Sequence, residues 1–368
     1  MHRRGSASGG FRPGLAVVGK LRPALRESRG PRGGLRRARP HHLGGAVLSL
    51  FFALAANDSE RFEKILRWTN DNLAQGDLGN RLPAWLWGRS SGGGWGIQDP
   101  NPASDADLWI AYTLIEAASL WDEPRFERIG KALAEQIAIE EVLFLEGFGP
   151  ALLPAPEGFH PEPGVFQLNG SYSPPQVLLG LSRHLPDGPW AAMARHLPKL
   201  LRGSSRKGVV LDWIAYREKD GFHDSPLPRP QALASYDAIR VYLWAGMLDP
   251  RTPGRDAILE SIPGLARHLT HSVMPPAVIT AGGRIRERRS GPGFSAAAIP
   301  YLDALGQKVL AEKQQQRLAS FLDASSGLYD SPPRYYDQNL ALFATGWSEG
   351  RFRFGADGAL IVPWKVRP

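Results

Sequence analysis

Along most of this chain apolar residues recur three or four positions apart, the spacing of one helix face. Phe62, Ile65, Leu66, Thr69 and Leu73 share such a face, in a segment that Ser59 is placed to cap. A second helix is predicted from Ser104 to about Trp121. A third runs from Pro124 to about Val142, its proline suited to a first turn. Further helices are expected to begin near Pro175, Pro189, Ser235, Arg255, Gly293, Val309 and Tyr335. Strand patterns are sparse, at Gly208–Trp213 and Arg351–Val362. About ten or eleven helices without a repeated βαβ pattern predict an all-α architecture, either a solenoid or a closed toroid of helix pairs. No short repeat supports the solenoid. Loops such as Gly76–Pro102 are long and dense in Gly, Pro, Asn and Trp, and in a toroid such loops would gather at one rim. Without a convincing linker, residues 49–368 read as one catalytic domain.

Composition adds a soluble globular body, with 43% hydrophobic and 22% charged residues. The 11 Trp, 9 Tyr and 15 Phe suit a core and also a carbohydrate site, where flat rings stack on sugar faces. Charge is unevenly placed. Residues 1–40 carry 11 Lys and Arg against one Glu, a net of +10. Residues 41–368 carry 33 Lys and Arg against 35 Asp and Glu, a net of −2. The body is therefore not basic, and a nucleic-acid partner is not expected. With no cysteine, disulfides, Cys–zinc sites and thiol catalysis are excluded. No apolar stretch reaches the ~18 residues of a membrane span.

The densest chemistry lies in ASDADLWIAYTLIEAASLW, Ala103–Trp121. Ser104 or Asp105 sits where a helix N-cap belongs, and acidic groups are favoured there by the helix dipole. Asp105 and Asp107 are two residues apart and so point in different directions, which lets one support while the other faces a cleft. A second stretch, SYDAIRVYLW (Ser235–Trp244), holds Asp237 and Arg240 three apart, the spacing of a helix-face ion pair.

Ala103, Ser104, Asp105, Ala106, Asp107, Ile110, Ala111 and Trp121 together resemble the signature of glycoside hydrolase family 8, with Thr113 where Ser or Ala is usual. SYDAIRVYLW, FFALAAND (Phe51–Asp58), NLAQGDLGNRLPAWLWG (Asn72–Gly88), NGSYSPP (Asn169–Pro175), GFSAAAIPYL (Gly293–Leu302) and RFRFGADGAL (Arg351–Leu360) are similar to the same family, especially its cellulose-synthase-associated endoglucanase branch. The resemblance runs from about Phe51 to the end. It implies an (α/α)6 barrel with long rim loops and an inverting endo-1,4-β-glucanase. It also implies a β-1,4-glucan partner, a functional link to a cellulose synthase complex, and no metal or organic cofactor. Asp237 is then the general base, with Arg240 keeping it ionised and oriented. Asp105 is the carboxylate that grips the distorted sugar, and Tyr236 sits beside it. Trp85 stacks on the glucan, with Asn169 and Tyr172 as walls of the cleft. Xylan or chitosan is a weaker alternative substrate. Periplasm or secretion is the expected location.

The family's general acid is a Glu in a Ser-Glu-Gly-Gln-x-Tyr stretch just before the segment matching FFALAAND. Here that region reads HHLGGAVLSLFF, and Gly44 falls where the Glu belongs. The replacement has a pattern. Codons ACC ACC TCG GAG GGG CAG TCC TAC, for Thr-Thr-Ser-Glu-Gly-Gln-Ser-Tyr, become His-His-Leu-Gly-Gly-Ala-Val-Leu when read one base early from a preceding C, and that is residues 41–48. Residues 1–48 thus read either as a disordered basic tail or as an out-of-frame translation restored near Ser49. His41 and His42, adjacent and without a carboxylate partner, are poor metal ligands. The apolar run Ala46–Ala56 overlaps the family's first barrel helix, so a signal peptide cut after Ala55 is not expected. The chain as written is expected to hydrolyse weakly, or to act as a glucan-binding protein without cleavage.

Overall fold

The computed structural model describes residues 41–90, 92–225 and 232–365; the basic segment 1–40 lies outside them. Twelve α-helices are found among the described residues: α1 (Leu43–Ala55), α2 (Ser59–Leu73), α3 (Ser104–Trp121), α4 (Pro124–Glu140), α5 (Pro175–His184), α6 (Trp190–Ser204), α7 (Ile239–Gly246), α8 (Arg255–Glu260), α9 (Gly264–Leu269), α10 (Pro292–Ala304), α11 (Lys308–Ala319) and α12 (Tyr335–Ser348).

Two kinds of helix are present. In α3 and α10 nearly every residue is buried, the pattern of a helix covered on all sides. In α2 and α4 only one stripe is buried: Phe62, Leu66, Thr69 and Leu73, and Phe126, Gly130, Leu133, Ala134 and Ile137. The first kind forms an inner ring in which each helix touches the next, in the order α1, α3, α5, α7, α10, α12 and back to α1. Helices α2, α4, α6, α8, α9 and α11 lie outside it. This closed ring of helix pairs is the (α/α)6 barrel, and its closure through α12 and α1 rules out the solenoid.

The core runs down the barrel axis. Phe51 of α1 stacks on Phe343 of α12 at 5.3 Å and meets Trp109 of α3 edge-on at 5.1 Å. Trp109 in turn packs on Trp244 of α7 at 5.4 Å. Helices approach closely where a side chain is missing. A Cβ on Gly246 would lie 2.2 Å from the Tyr301 backbone nitrogen, so α7 and α10 pack backbone to backbone there. Helix α1, which carries Phe51, Phe52 and Leu54 into this core, is an integral part of the barrel.

Several expected boundaries move, each for a local reason. Asp58, not Ser59, caps α2, accepting a hydrogen bond from the Arg61 N–H at 2.9 Å. Ala103 is the N-cap of α3 and offers no side-chain bond, so neither Ser104 nor Asp105 caps it. The helix expected from Ser235 begins at Ile239, after a turn. The predicted strand Gly208–Trp213 resolves into Val209–Val210 and Ile214–Arg217. Helix α9 and most of the short hairpins were not legible, because segments of two to six residues carry too little periodicity.

Candidate active site

The inner helices bring their first turns, and the loops leading into them, to one rim. Asp105 is the second residue of α3, Asn169 and Tyr172 precede α5, and Asp237 lies two residues before α7. Tyr336 and Asp337 open α12, and the Tyr336 hydroxyl donates to the Tyr236 carbonyl at 2.9 Å. Asp337 accepts from the Gly293 N–H of α10 at 3.1 Å. Gly44 lies in the first turn of α1. Residues widely separated in sequence are thus gathered into one cluster by the ring.

Arg240 is its centre. One end of the guanidinium meets Asp105 at 2.5 Å; the other donates to Asp237 at 3.0 Å and to the Ser171 hydroxyl at 2.8 Å. Its side chain is 12% exposed, against 18% for Asp105 and 34% for Asp237. The ring of Tyr172 lies 5.2 Å from the guanidinium carbon. Asn169 holds this wall from behind, its carbonyl oxygen accepting from the Ser171 N–H at 3.0 Å and hydroxyl at 2.7 Å. Burial pushes the Asp237 carboxyl above the usual carboxylate range; Arg240 opposes the push, Asp105 adds to it, and Asn169 opposes it. A carboxylate so placed is a stronger proton acceptor than a free one while remaining tied in position.

The other expected residues are less central. Tyr236 turns its ring toward Phe294 at 4.7 Å and Tyr336 at 5.5 Å, on the flank of Asp237. Trp85 is half-buried, joined to the loop that leads into α3 through its backbone N–H, which donates to the Asn101 carbonyl at 2.8 Å.

Three contributors were not foreseen. Asp212, 8% exposed, accepts from the Ser235 N–H at 2.7 Å, the Ser235 hydroxyl at 2.5 Å and the Ala238 N–H at 2.9 Å. It therefore clamps both sides of the turn that carries Asp237 and does the work of a helix cap from a loop distant in sequence. Burial, with Asp237 adding repulsion, pushes its carboxyl up to about 6. Trp213, next in the chain, stacks on Phe159 at 5.5 Å and meets Tyr172 at 6.0 Å, extending the aromatic wall. Ser171 is the link between Asn169 and Arg240. The one available signal was an acidic residue beside a Trp at the end of an otherwise apolar run, Val209–Trp213.

Chemically, the rim sets several carboxyl groups around a single guanidinium, beside aromatic rings. Such a surface favours a ligand that is polar, flat-faced and acquires positive charge. Among the described residues, no His, Asp and Glu side chains gather as a metal site.

Known proteins match this arrangement over most of its length. The model for "Glycosyl hydrolases family 8" matches residues 37–350. An endoglucanase of Xanthomonas axonopodis pv. citri is 42% identical over 322 residues, 88% of this chain and 82% of that protein. The endoglucanase of Escherichia coli K12 is 37% identical over 320 residues, covering 87% and 83%. The crystal structure of endo-1,4-D-glucanase from Vibrio fischeri superposes with a TM-score of 0.82 at 35% identity, over 88% of this chain and 92% of that one. The endo-beta-1,4-glucanase CMCax from Acetobacter xylinum shares the fold, with a TM-score of 0.68 at 21% identity over 92% and 99%. A barrel rim with paired carboxylates, matched by the family model across more than three quarters of the chain, identifies this protein as a glycoside hydrolase belonging to family 8.

Proposed function

We propose that the rim binds β-1,4-glucan and is built to cleave its internal bonds with inversion. Asp237 is the base that activates water, and Asp105 grips the sugar at the cleavage point. Arg240, Tyr236, Trp85, Asn169 and Tyr172 bind and orient the chain. The observation that carries this reading is the Arg240 bridge, which holds Asp105 and Asp237 on one guanidinium at the rim. Inversion needs a base and an acid ~6.5–9.5 Å apart on opposite faces of the sugar. A net negative rim also favours the oxocarbenium-like transition state electrostatically. The endoglucanase names of the relatives support the substrate class.

The acid is the weak point. Gly44 stands at the position that the family resemblance gives to Glu, and glycine has no proton to donate. Loss of a general acid removes ~10²–10⁴ in rate. The chain as written is therefore a slow hydrolase. A second reading follows from the same observation: a glucan-binding protein on the same barrel. In both readings residues 1–48 stand in place of the family's acid-bearing segment, by the one-base shift described above. The link to cellulose synthesis and a periplasmic or secreted location rest on likeness to the endoglucanase branch.

Reducing-end release from carboxymethylcellulose, followed with binding of cello-oligosaccharides, tests this. Cleavage supports the hydrolase, binding without cleavage supports the second reading, and neither sinks both. Resequencing the coding region around Ser49 tests the frame shift; a clean read without an insertion or deletion refutes it.

A further inference from the structure

Asp105 and Asp107 leave the first turn of α3 in opposite directions. Asp105 faces Arg240 at the rim, while Asp107 turns inward and is fully buried. There its carboxyl lies against that of Glu141, also fully buried, at the C-terminal cap of α4. None of their four carboxyl oxygens has a hydrogen-bond partner among the described residues. Two carboxyl groups sealed together away from water and without a donor are stable there only with a proton between them. With both ionised, two like charges would face each other out of water. The surrounding backbone ties the pair to the turn above it. The Leu153 N–H donates to the Glu141 carbonyl at 2.8 Å, and the neighbouring Pro154 carbonyl accepts from the Ser104 N–H at 3.0 Å.

We propose that Asp107 and Glu141 form a proton-sharing anchor that sets the position of Asp105, and through it the Arg240 bridge to Asp237. The pair touches no substrate; both are positioning residues. This inference rests on the reading of the rim as a glucan site. Its charged surroundings are Asp105 on the same helix and Glu140 at the end of α4, both acidic. The one charged residue of the packed hairpin Val142–Leu152, Glu146, is exposed at its turn. Burial is the main push on both carboxyls, Asp105 and Glu140 push the same way, and Asp107 raises Glu141 further while Glu141 lowers Asp107 in return, so the proton is held well above the usual carboxylate range. A carboxyl raised in the folded state stabilises most below its unfolded value, near ~4, and that contribution is lost as pH rises through the folded value.

The test uses the full chain, with melting temperature followed from pH 5 to pH 9 and cellopentaose binding measured by calorimetry. The wild type is compared with D107N/E141Q, which keeps the shape of the pair without a titratable proton, and with D107A. The wild type should melt progressively lower as pH rises. D107N/E141Q should lose at least roughly half of that fall, and should bind cellopentaose within about threefold of wild type. D107A, if folded, should bind roughly tenfold more weakly, because Glu141 is left buried without its partner. An unchanged pH slope in D107N/E141Q, or full affinity in D107A, overturns the anchor. If D107A does not fold, the slope and affinity of D107N/E141Q decide. If the wild type itself fails to bind cellopentaose, the glucan reading falls, while the pH slope still judges the proton-sharing pair.

Discussion

Arg240 and Asp105 lie 135 residues apart in the chain and meet at 2.5 Å in the fold, with Asp237 on the far side of the same guanidinium. An ion pair that fixes two carboxylates at once makes Arg240 hard to replace. Removing one member of a mostly buried network leaves the others uncompensated. R240A should lose about 3 kcal/mol of stability in urea denaturation, with cello-oligosaccharide binding lost as well. R240K keeps the charge without the planar fork, so it should recover part of the stability and little of the binding. Wild-type affinity in R240A would remove the bridge from the site.

Gly44 lies in the first turn of α1. Introducing a carboxyl there, G44E, should raise reducing-end release from carboxymethylcellulose at least ~10²-fold, the lower end of what a general acid supplies. Adding D237N to G44E should abolish the gain. A G44E protein that folds and binds glucan yet gains no rate would place the family's acid elsewhere.

Asp212 couples the site to pH. Its carboxyl is pushed up to about 6 by burial and by Asp237, so its proton is bound more tightly in the folded chain than in the unfolded one. The associated stability is complete below pH ~4 and declines as pH rises through 6. Over that window the wild type should lose about 3 kcal/mol relative to D212N, from roughly two pKa units at ~1.36 kcal/mol each. Chemical denaturation at pH 4 and pH 7 measures it, and parallel curves for the two proteins would contradict it. D212N should also weaken the hold on Ser235 and Ala238, reducing turnover more than affinity.

Trp213 is half-buried between Phe159 and Tyr172. If this wall carries sugar rings, W213A should cut cello-oligosaccharide affinity by about tenfold, in the range of ~1.4 kcal/mol that aromatic contacts supply. A loss of melting temperature with intact affinity would make the residue a packing element only.

At Gly246 the neighbour is backbone, which cannot swing aside. G246A should therefore destabilise the barrel by about 1–3 kcal/mol through forced separation of α7 and α10, visible as a lower urea midpoint. Tolerance of alanine would mean that the two helices are less closely apposed.

Much of this molecule was readable locally. Helix α3 runs from Ser104 to Trp121 as predicted, because apolar spacing over five turns is a strong signal and acidic residues mark its start. The Asp237–Arg240 pair was legible for the same reason, since three residues along a chain stay near each other in almost any helical turn. Likeness to a known family supplied Asp105, Asn169 and Tyr172 by position. The caps were misjudged, because Asp58 and Asp212 compete for backbone N–H groups that the pattern alone assigns to nearer side chains.

What the linear order of residues determined by itself was the set of helices, the acidic signature and the absence of a Glu at position 44. Only the tertiary structure decided that the ring closes through α12 and α1, that Arg240 faces Asp105 as well as Asp237, and that Asp107 is sealed against Glu141. Periodicity records which face of a segment is buried, but it carries no information about which distant segment covers that face. Contacts across a barrel depend on the closure of all its helices at once, and no local stretch contains that constraint.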